Sequence, residues 1–379
     1  MSLREKIEQE IRERGPIPFS SYMEMCLYDP DLGYYSRNAE KFGKAGDFYT
    51  SSDVHAVFGR LLARQFEEMW RALDAPAQIE VRELGAGRGL FAQDVLDWSE
   101  KKFPGFFGAL RYTPVESSPS LRERLQTTLS RHIADGRVAV VDAGLTICAD
   151  VASVPIIVFA NEFFDALPVE VLSDKGSLRI DVKDGRFVEG WAPASAEELA
   201  FLDRYGIHPQ PGERTEVCLA ATHEMSQIAA AIERGFFIAI DYGYTREEQL
   251  AGRHPDTVMA YRQHSASPNP YEAPGEQDIT AHVNFSALAV AAEQGRMHPH
   301  KLLTQSQFLM GIGEATQFAD AFEECRLPQE RAKVALQLKH LVTPAGMGET
   351  FHVLVASKGV EASRLAGLSG LGFGREVQQ

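Results

Sequence analysis

The run IEVRELGAGRGLFAQDVL, residues 79 to 96, passes from apolar alternation through three evenly spaced glycines into an amphipathic pattern. Ile79 to Leu84 predicts a strand, Phe91 to Phe103 a helix, and Gly85, Gly87 and Gly89 the turn between them. Glycine at such a turn permits positive φ and lets backbone amides and a helix N-terminus approach a ligand closely. Turns of this kind also serve packing alone, so the surroundings have to discriminate. Two features argue against a dinucleotide. The spacing is G-x-G-x-G, one residue short of G-x-G-x-x-G, and Glu83 stands two residues ahead of Gly85. A carboxylate there repels a pyrophosphate and attracts an ammonium or a sulfonium. The turn therefore predicts a cationic ligand.

Outward from this run the same alternation repeats. Strands are expected at 79–84, 110–116, 137–142, 155–161, 236–242 and 351–359, with helices at 91–103, 120–133, 219–235 and 331–342. Apolar strands alternating with helices predict a parallel sheet covered on both faces, a doubly wound, Rossmann-like α/β fold. Residues 58–73 form a further amphipathic helix, with Phe58, Leu61, Leu62, Phe66, Met69, Trp70 and Leu73 on one stripe. The N-terminal residues begin with a helical repeat, Leu3, Ile7 and Ile11, and continue into a Pro-, Tyr- and Gly-rich segment that reads as a cap. Residues 177–193 read as a hairpin turning at Asp184-Gly185, and 262–284 as a polar, Pro-rich loop. The expected organisation is a cap over 1–55, a domain over 56–358 with insertions near 175–215 and 255–284, and a loosely held tail over 359–379.

Composition narrows the function. The chain has 379 residues, 44% hydrophobic and 24% charged, ordinary values that exclude fibrous and disordered classes. The formal net charge of −15 disfavours a nucleic-acid footprint and suits a basic protein partner. No apolar run reaches membrane-spanning length, and the charged opening MSLREKIEQEIRERG lacks the pattern of a signal or transit peptide, so a cytoplasmic location is expected. Cys26, Cys148, Cys218 and Cys325 are too dispersed for a zinc site or a disulfide framework, and no metal is expected. Exposed apolar surface on the cap is a candidate homodimer surface.

Acidic or amide residues fall at four successive strand ends: Glu83, Glu116, Asp142, and Asn161 with Glu162. Singly, such residues are common at solvated surfaces. In phase with a doubly wound sheet they suit a nucleoside, with Glu116 placed for ribose hydroxyls and Asp142 for an adenine amino group. S-adenosyl-L-methionine combines a sulfonium, an α-ammonium and a phosphate-free adenosine, and is the cofactor these features predict.

Those residues resemble the cofactor motifs of class I S-adenosylmethionine-dependent methyltransferases. The runs PIPFSSYMEMCLYDPDLGYYS, FGKAGDFYTSSDV, ANEFFDALPVE, AIDYGYT and PYEAPGEQDITAHVNFSAL are similar to those of the MidA family, over roughly residues 15–358. That family includes a mitochondrial complex I assembly factor with protein arginine methyltransferase activity. The resemblance implies that Glu83, Gly85, Gly87 and Gly89 hold the methionine part, Glu116 the ribose and Asp142 the adenine, while Asn161 faces the transferred methyl and the segment around Asp47 and Thr50 folds over the cofactor. Asp47 and Thr50 would equally serve as a helix cap. Arginine as acceptor, in a basic protein such as a respiratory-complex subunit, is implied by the resemblance. The separated double-glutamate hairpin of familiar arginine methyltransferases is missing, and Glu162 and Asp165 occupy its neighbourhood. A guanidinium nitrogen is a poor nucleophile unless carboxylates orient it and localise its charge. Glu162 is the first candidate for that work, Asp165 the second, on one helical face with it if NEFFDALP forms a helical turn, and Asp278 with Glu276 the third. His282 is a candidate base that reads more readily as a structural histidine. A small-molecule acceptor, or a non-catalytic assembly factor keeping the cofactor fold, are the alternatives.

Overall fold

The computed structural model describes residues 1–37, 56–142, 154–252, 256–262, 265–314 and 316–373. Its centre is a parallel sheet of β1 (Ile79–Leu84), β2 (Leu110–Glu116), β3 (Val141–Asp142), β4 (Ile156–Asn161) and β5 (Gly235–Tyr244), closed on one side by antiparallel β6 (Phe351–Lys358). The spatial order is β3-β2-β1-β4-β5-β6, with Ile79 opposite Leu110, Glu80 opposite Ile156, and Ile156 opposite Gly235. Strand order reverses between β1 and β4, and their C-terminal ends open a crevice where such sheets bind ligands. The doubly wound expectation is met. Two details differ. The 137–142 run joins the ladder only at Val141–Asp142, after an isolated bridge from Val138 to Tyr112, and the 120–133 helix breaks at Leu129.

Alternate residues of the strands feed two apolar layers. On one face Val81, Ile157, Phe159, Ile238, Ile240 and Val353 meet the helices Ala56–Ala72 and Leu90–Lys102, with the Phe91 and Phe159 rings stacked at 4.6 Å. On the other, Val158, Ala160, Phe237, Ala239 and Leu354 meet the helices Leu219–Ala231 and Phe285–Gln294. Lys358 ties those two helix ends together by donating to the Ala229 and Gly295 carbonyls, each at 2.8 Å. A buried polar clamp holds the first layer from outside. Asp320, 1% exposed, accepts from Trp98 Nε1 at 3.0 Å and from Arg64 Nη2 at 3.1 Å. Asp320→Ala is expected to cost about 3 kcal/mol of stability by leaving a half-buried guanidinium unpaired, measured by denaturant unfolding.

The cap and the first insertion are one unit. Helix Leu3–Arg14 starts at a Ser2/Glu5 capping box and buries Leu3, Ile7 and Ile11. They join an apolar cluster with Leu178 and Ile180 of the hairpin Gly176–Lys183/Arg186–Ala192, to which Ile17–Pro18 adds a short strand. Asp184 and Gly185 take φ of 50° and 68°, as a tight primed turn requires. The Leu3, Ile7 and Ile11 stripe is thus covered inside the chain, and Met1 is the one large apolar residue exposed among the described part of the cap.

Two further expectations are corrected. The 262–284 run is not simply a loop, because Ser265–Ser267 and Asp278–Thr280 pair with Met259–Arg262 in a three-stranded antiparallel sheet. The tail is not loose through residue 373. Leu368 is buried, and Gly370, whose lack of a side chain lets its backbone lie against Gln65 and Phe308, donates to Gln65 Oε1 at 2.8 Å.

Candidate active site

The crevice between β1 and β4 carries most of the predicted residues. Glu83 is the penultimate residue of β1 and the glycine turn follows Leu84, with Gly85, Gly87 and Gly89 at φ of 66°, 55° and 76°. The three glycines have different reasons. A Cβ on Gly85 would press on Phe163 at 3.3 Å, and one on Gly89 on Leu125 at 3.1 Å, whereas one on Gly87 would enter open space. Gly85 and Gly87 line the cleft. Gly89 is not among the residues lining the cleft, and it packs against Leu125 and Leu129 at the start of helix Leu90–Lys102.

Glu83 is 5% exposed and accepts from the Tyr112 hydroxyl at 2.9 Å. Burial, reinforced by Glu116, pushes its carboxyl up to about 8 against the opposing Tyr112 bond. Glu116, ending β2, accepts from Gly87 N and Ser118 N at 2.8 Å each, and burial raises it despite those amides. It thereby binds the glycine turn to the neighbouring strand end. Each oxygen retains a lone pair for a ligand hydroxyl. Asp142 lies in β3 at the next strand end, and only its backbone position is described. Asp47 and Thr50 fall outside the described residues.

At the end of β4, Asn161 donates to Glu162 Oε1 at 3.1 Å, while Asn161 Oδ1 is buried with no hydrogen-bond partner among the described residues. Glu162 sits at φ 50°, a left-handed conformation uncommon for a non-glycine residue and frequent at functional sites. The expected helical turn over NEFFDALP does not form. Instead Asp241 on β5, 1% exposed, takes the amides of Phe164 at 3.0 Å and Asp165 at 3.3 Å through one oxygen, and that of Tyr242 at 2.9 Å through the other. Both Glu162 and Asp165 reach the cleft through this turn. Burial, then Asp165 and Glu162, hold Asp241 well above the ordinary carboxylate range, and burial pushes Asp165 up to about 6.

The other wall comes from far away in sequence. Asp278 enters from the inserted sheet and accepts from the Tyr35 hydroxyl at 2.9 Å, and Tyr28 donates to the Ala166 carbonyl at 3.0 Å. Ser118 Oγ fixes the cap by donating to the Tyr35 carbonyl at 2.9 Å. Glu276 and His282 are not in the lining: Glu276 pairs with Arg262 at 2.6 Å, and the His282 ring stands edge-on to Tyr242. Tyr28, Tyr35 and Asp241 were missed from sequence. Asp241 had a signal, a lone acid ending an otherwise apolar strand in phase with the others.

A carboxylate-rich cleft with a glycine turn suits a cation that carries hydroxyls and lacks phosphate, and Arg88 is the basic residue among its described lining. The model for a family of S-adenosyl-L-methionine-dependent methyltransferases matches residues 61–302. The chain belongs to that family. It is 30% identical to the Drosophila melanogaster protein arginine methyltransferase NDUFAF7 homolog, mitochondrial, over 98% of this chain and 88% of the relative. The human mitochondrial protein arginine methyltransferase NDUFAF7 is 29% identical over 90% of this chain and 80% of its own length. A Burkholderia thailandensis protein solved with S-adenosyl-homocysteine bound superposes with a TM-score of 0.80 at 32% identity, over 95% of this chain and 92% of that one. The methyltransferase fold and the S-adenosyl-L-methionine cofactor expected from sequence stand. The cytoplasmic location does not: the curated relatives are named as mitochondrial proteins, and that expectation is withdrawn. Among the described residues no helix is long and apolar enough to cross a membrane, and no group of three or more His, Cys, Asp or Glu side chains is arranged to hold a metal ion.

Proposed function

We propose that this methyltransferase acts on an arginine side chain of a basic protein, with Glu162, Asp165 and Asp278 clamping the guanidinium. Glu83, Gly85, Gly87, Glu116, Asp142 and Asn161 would hold the methyl donor, and Thr50 is proposed to help cover it. The observation that carries this reading is the gathering of three acids from two distant segments in one cleft beside the Tyr28 and Tyr35 rings. The names of the curated relatives support it. A respiratory-complex subunit is the candidate substrate that the family resemblance supplies.

S-adenosyl-L-methionine, when bound, supplies a methyl group on an already activated leaving group. The chain's share is alignment, worth roughly 7–11 kcal/mol in well-positioned reactions, and management of charge. Carboxylates beside a guanidinium fix its plane and draw positive charge away from one nitrogen. The same acids would hold a lysine ammonium protonated and unreactive, which favours arginine over lysine. The deciding experiment is transfer of a labelled methyl group into matched arginine and lysine peptides and into a respiratory-complex fraction, with the modified atom located by mass spectrometry. Label on a guanidinium nitrogen is expected. Label confined to lysine or to a small molecule would overturn the reading.

The Glu83 environment leads to a pH prediction. At pH 7 its carboxyl is mostly neutral in the ligand-free protein, since it titrates at about 8. A cationic ligand selects the carboxylate, so binding releases a proton and affinity rises with pH, by at most tenfold per unit between about pH 6 and 7.5. Calorimetry in buffers of different ionisation enthalpy measures that proton directly, and Glu83→Gln is expected to abolish it.

A further inference from the structure

Behind the acceptor side of the cleft, three polar atoms are left without a well-formed hydrogen bond: Asp165 Oδ1, the Tyr242 hydroxyl and the Thr280 hydroxyl. Their residues are 4%, 6% and 2% exposed. They come from the turn after β4, from β5 and from the inserted sheet. The phenol of Tyr242 faces both Asp165 and Thr280. Its ring is held independently, edge-on to Phe351 at 5.5 Å and to His282 at 5.4 Å. Buried polar groups are nearly always paired, and catalytic hydrogen bonds are often long in a ligand-free site and tighten when reactants enter. Of the three residues, only Asp165 belongs to the cleft lining.

We propose that Tyr242 is the positioning residue for Asp165, turning its carboxylate toward the acceptor nitrogen, and that Asp165 takes the proton which that nitrogen loses on methylation. The inference rests on the arginine reading above. As the N–C bond forms and the S–C bond breaks, the electron pair of the latter stays on sulfur. Guanidinium, sulfonium and carboxylate become methylguanidinium, thioether and carboxylic acid, so charge balances only if one proton leaves the acceptor. Thr280 also faces the phenol, and a hydroxyl donating to the phenol oxygen strengthens the bond the phenol makes to Asp165. The groups facing Asp165 are Asp241 and Tyr242 from β5, Tyr28 and Tyr35 from the cap, and Tyr261 from the inserted sheet. None is basic. Tyr242 opposes the effect of burial on Asp165.

Tyr242→Phe keeps the ring and removes the hydroxyl. Expected are a kcat about tenfold lower at pH 7, a KM for S-adenosyl-L-methionine within twofold of the parent, and an acidic limb of the kcat profile moved up by about one pH unit. In ligand-free protein, the carbon-13 resonance of Asp165, assigned through Asp165→Asn, should titrate at correspondingly higher pH. Thr280→Val should move the limb and the resonance the same way by less, and it replaces the first variant if that one fails to fold. A uniform drop in kcat with neither titration moved would reduce Tyr242 to a packing residue and overturn the proposal. Asp165→Asn separates the two readings. If it loses transfer while Tyr242→Phe is unchanged, only the positioning role fails. If Asp165→Asn transfers methyl groups at the parent rate, the acceptor reading itself fails.

Discussion

Gly87→Asp is expected to weaken S-adenosyl-L-methionine binding by at least about a hundredfold, about 2.7 kcal/mol, while the protein still folds. The separation of binding from folding comes from what surrounds the residue. A Cβ at Gly87 meets no atom within 4 Å, so the new side chain displaces nothing in the protein and projects into the cleft. The backbone is at φ 55°, a region that aspartate enters more readily than most residues, so strain should cost no more than about 1–2 kcal/mol. The added carboxylate also stands beside buried Glu83 and Glu116, and like charges there favour protonation of the acids that would face the ligand's cation. Gly89→Ala is the counterpart, expected to lower stability through its contacts with Leu125 and Leu129 and to spare affinity in the folded fraction. Calorimetric binding and thermal unfolding of both variants test this. Parent-like affinity in Gly87→Asp would remove the glycine turn from the ligand site.

The parts of this arrangement that were legible in the sequence are those with a local physical cause. Strand ends could be read because apolar alternation stops where the chain leaves the sheet, and a doubly wound sheet puts those ends on one edge. Glu83, Glu116, Asn161 and Glu162 were found that way. Asp241 obeys the same rule, yet its work is to hold the Phe164 and Asp165 amides across two strands, a long-range pairing with no local trace. The same bonds, with Pro168 ending the segment, explain why NEFFDALP turns irregularly despite helix-compatible spacing. Tyr28 and Tyr35 lie in a stretch whose role as a cap was readable while its inward-facing side chains were not. Gly370 was misread because its partners, Gln65 and Phe308, are distant in sequence and a glycine-rich run has no period of its own.

Glu162→Gln is expected to retain cofactor affinity within about threefold and to lose at least about a hundredfold in methyl transfer to an arginine peptide. The substitution keeps size and the approach of Asn161, so what changes is charge opposite the acceptor. A neutral amide can still accept one hydrogen bond from a guanidinium, but it no longer draws positive charge from the attacking nitrogen. A second variant tests whether the backbone is held for that purpose. Glu162 keeps φ 50° between β4 and the turn that Asp241 organises, a conformation glycine adopts without strain. Glu162→Gly should therefore transfer no measurable methyl group while losing little stability, because relief of about 1 kcal/mol of strain offsets the greater freedom of the unfolded chain. A non-glycine side chain kept in an uncommon backbone conformation is a candidate for retention by chemistry. The competing account makes Glu162 a structural element of the switch point, its side chain holding Asn161. On that account Glu162→Gly would unfold well below the parent temperature and Glu162→Gln would transfer methyl groups normally, so the pair of measurements assigns the residue to one role or the other.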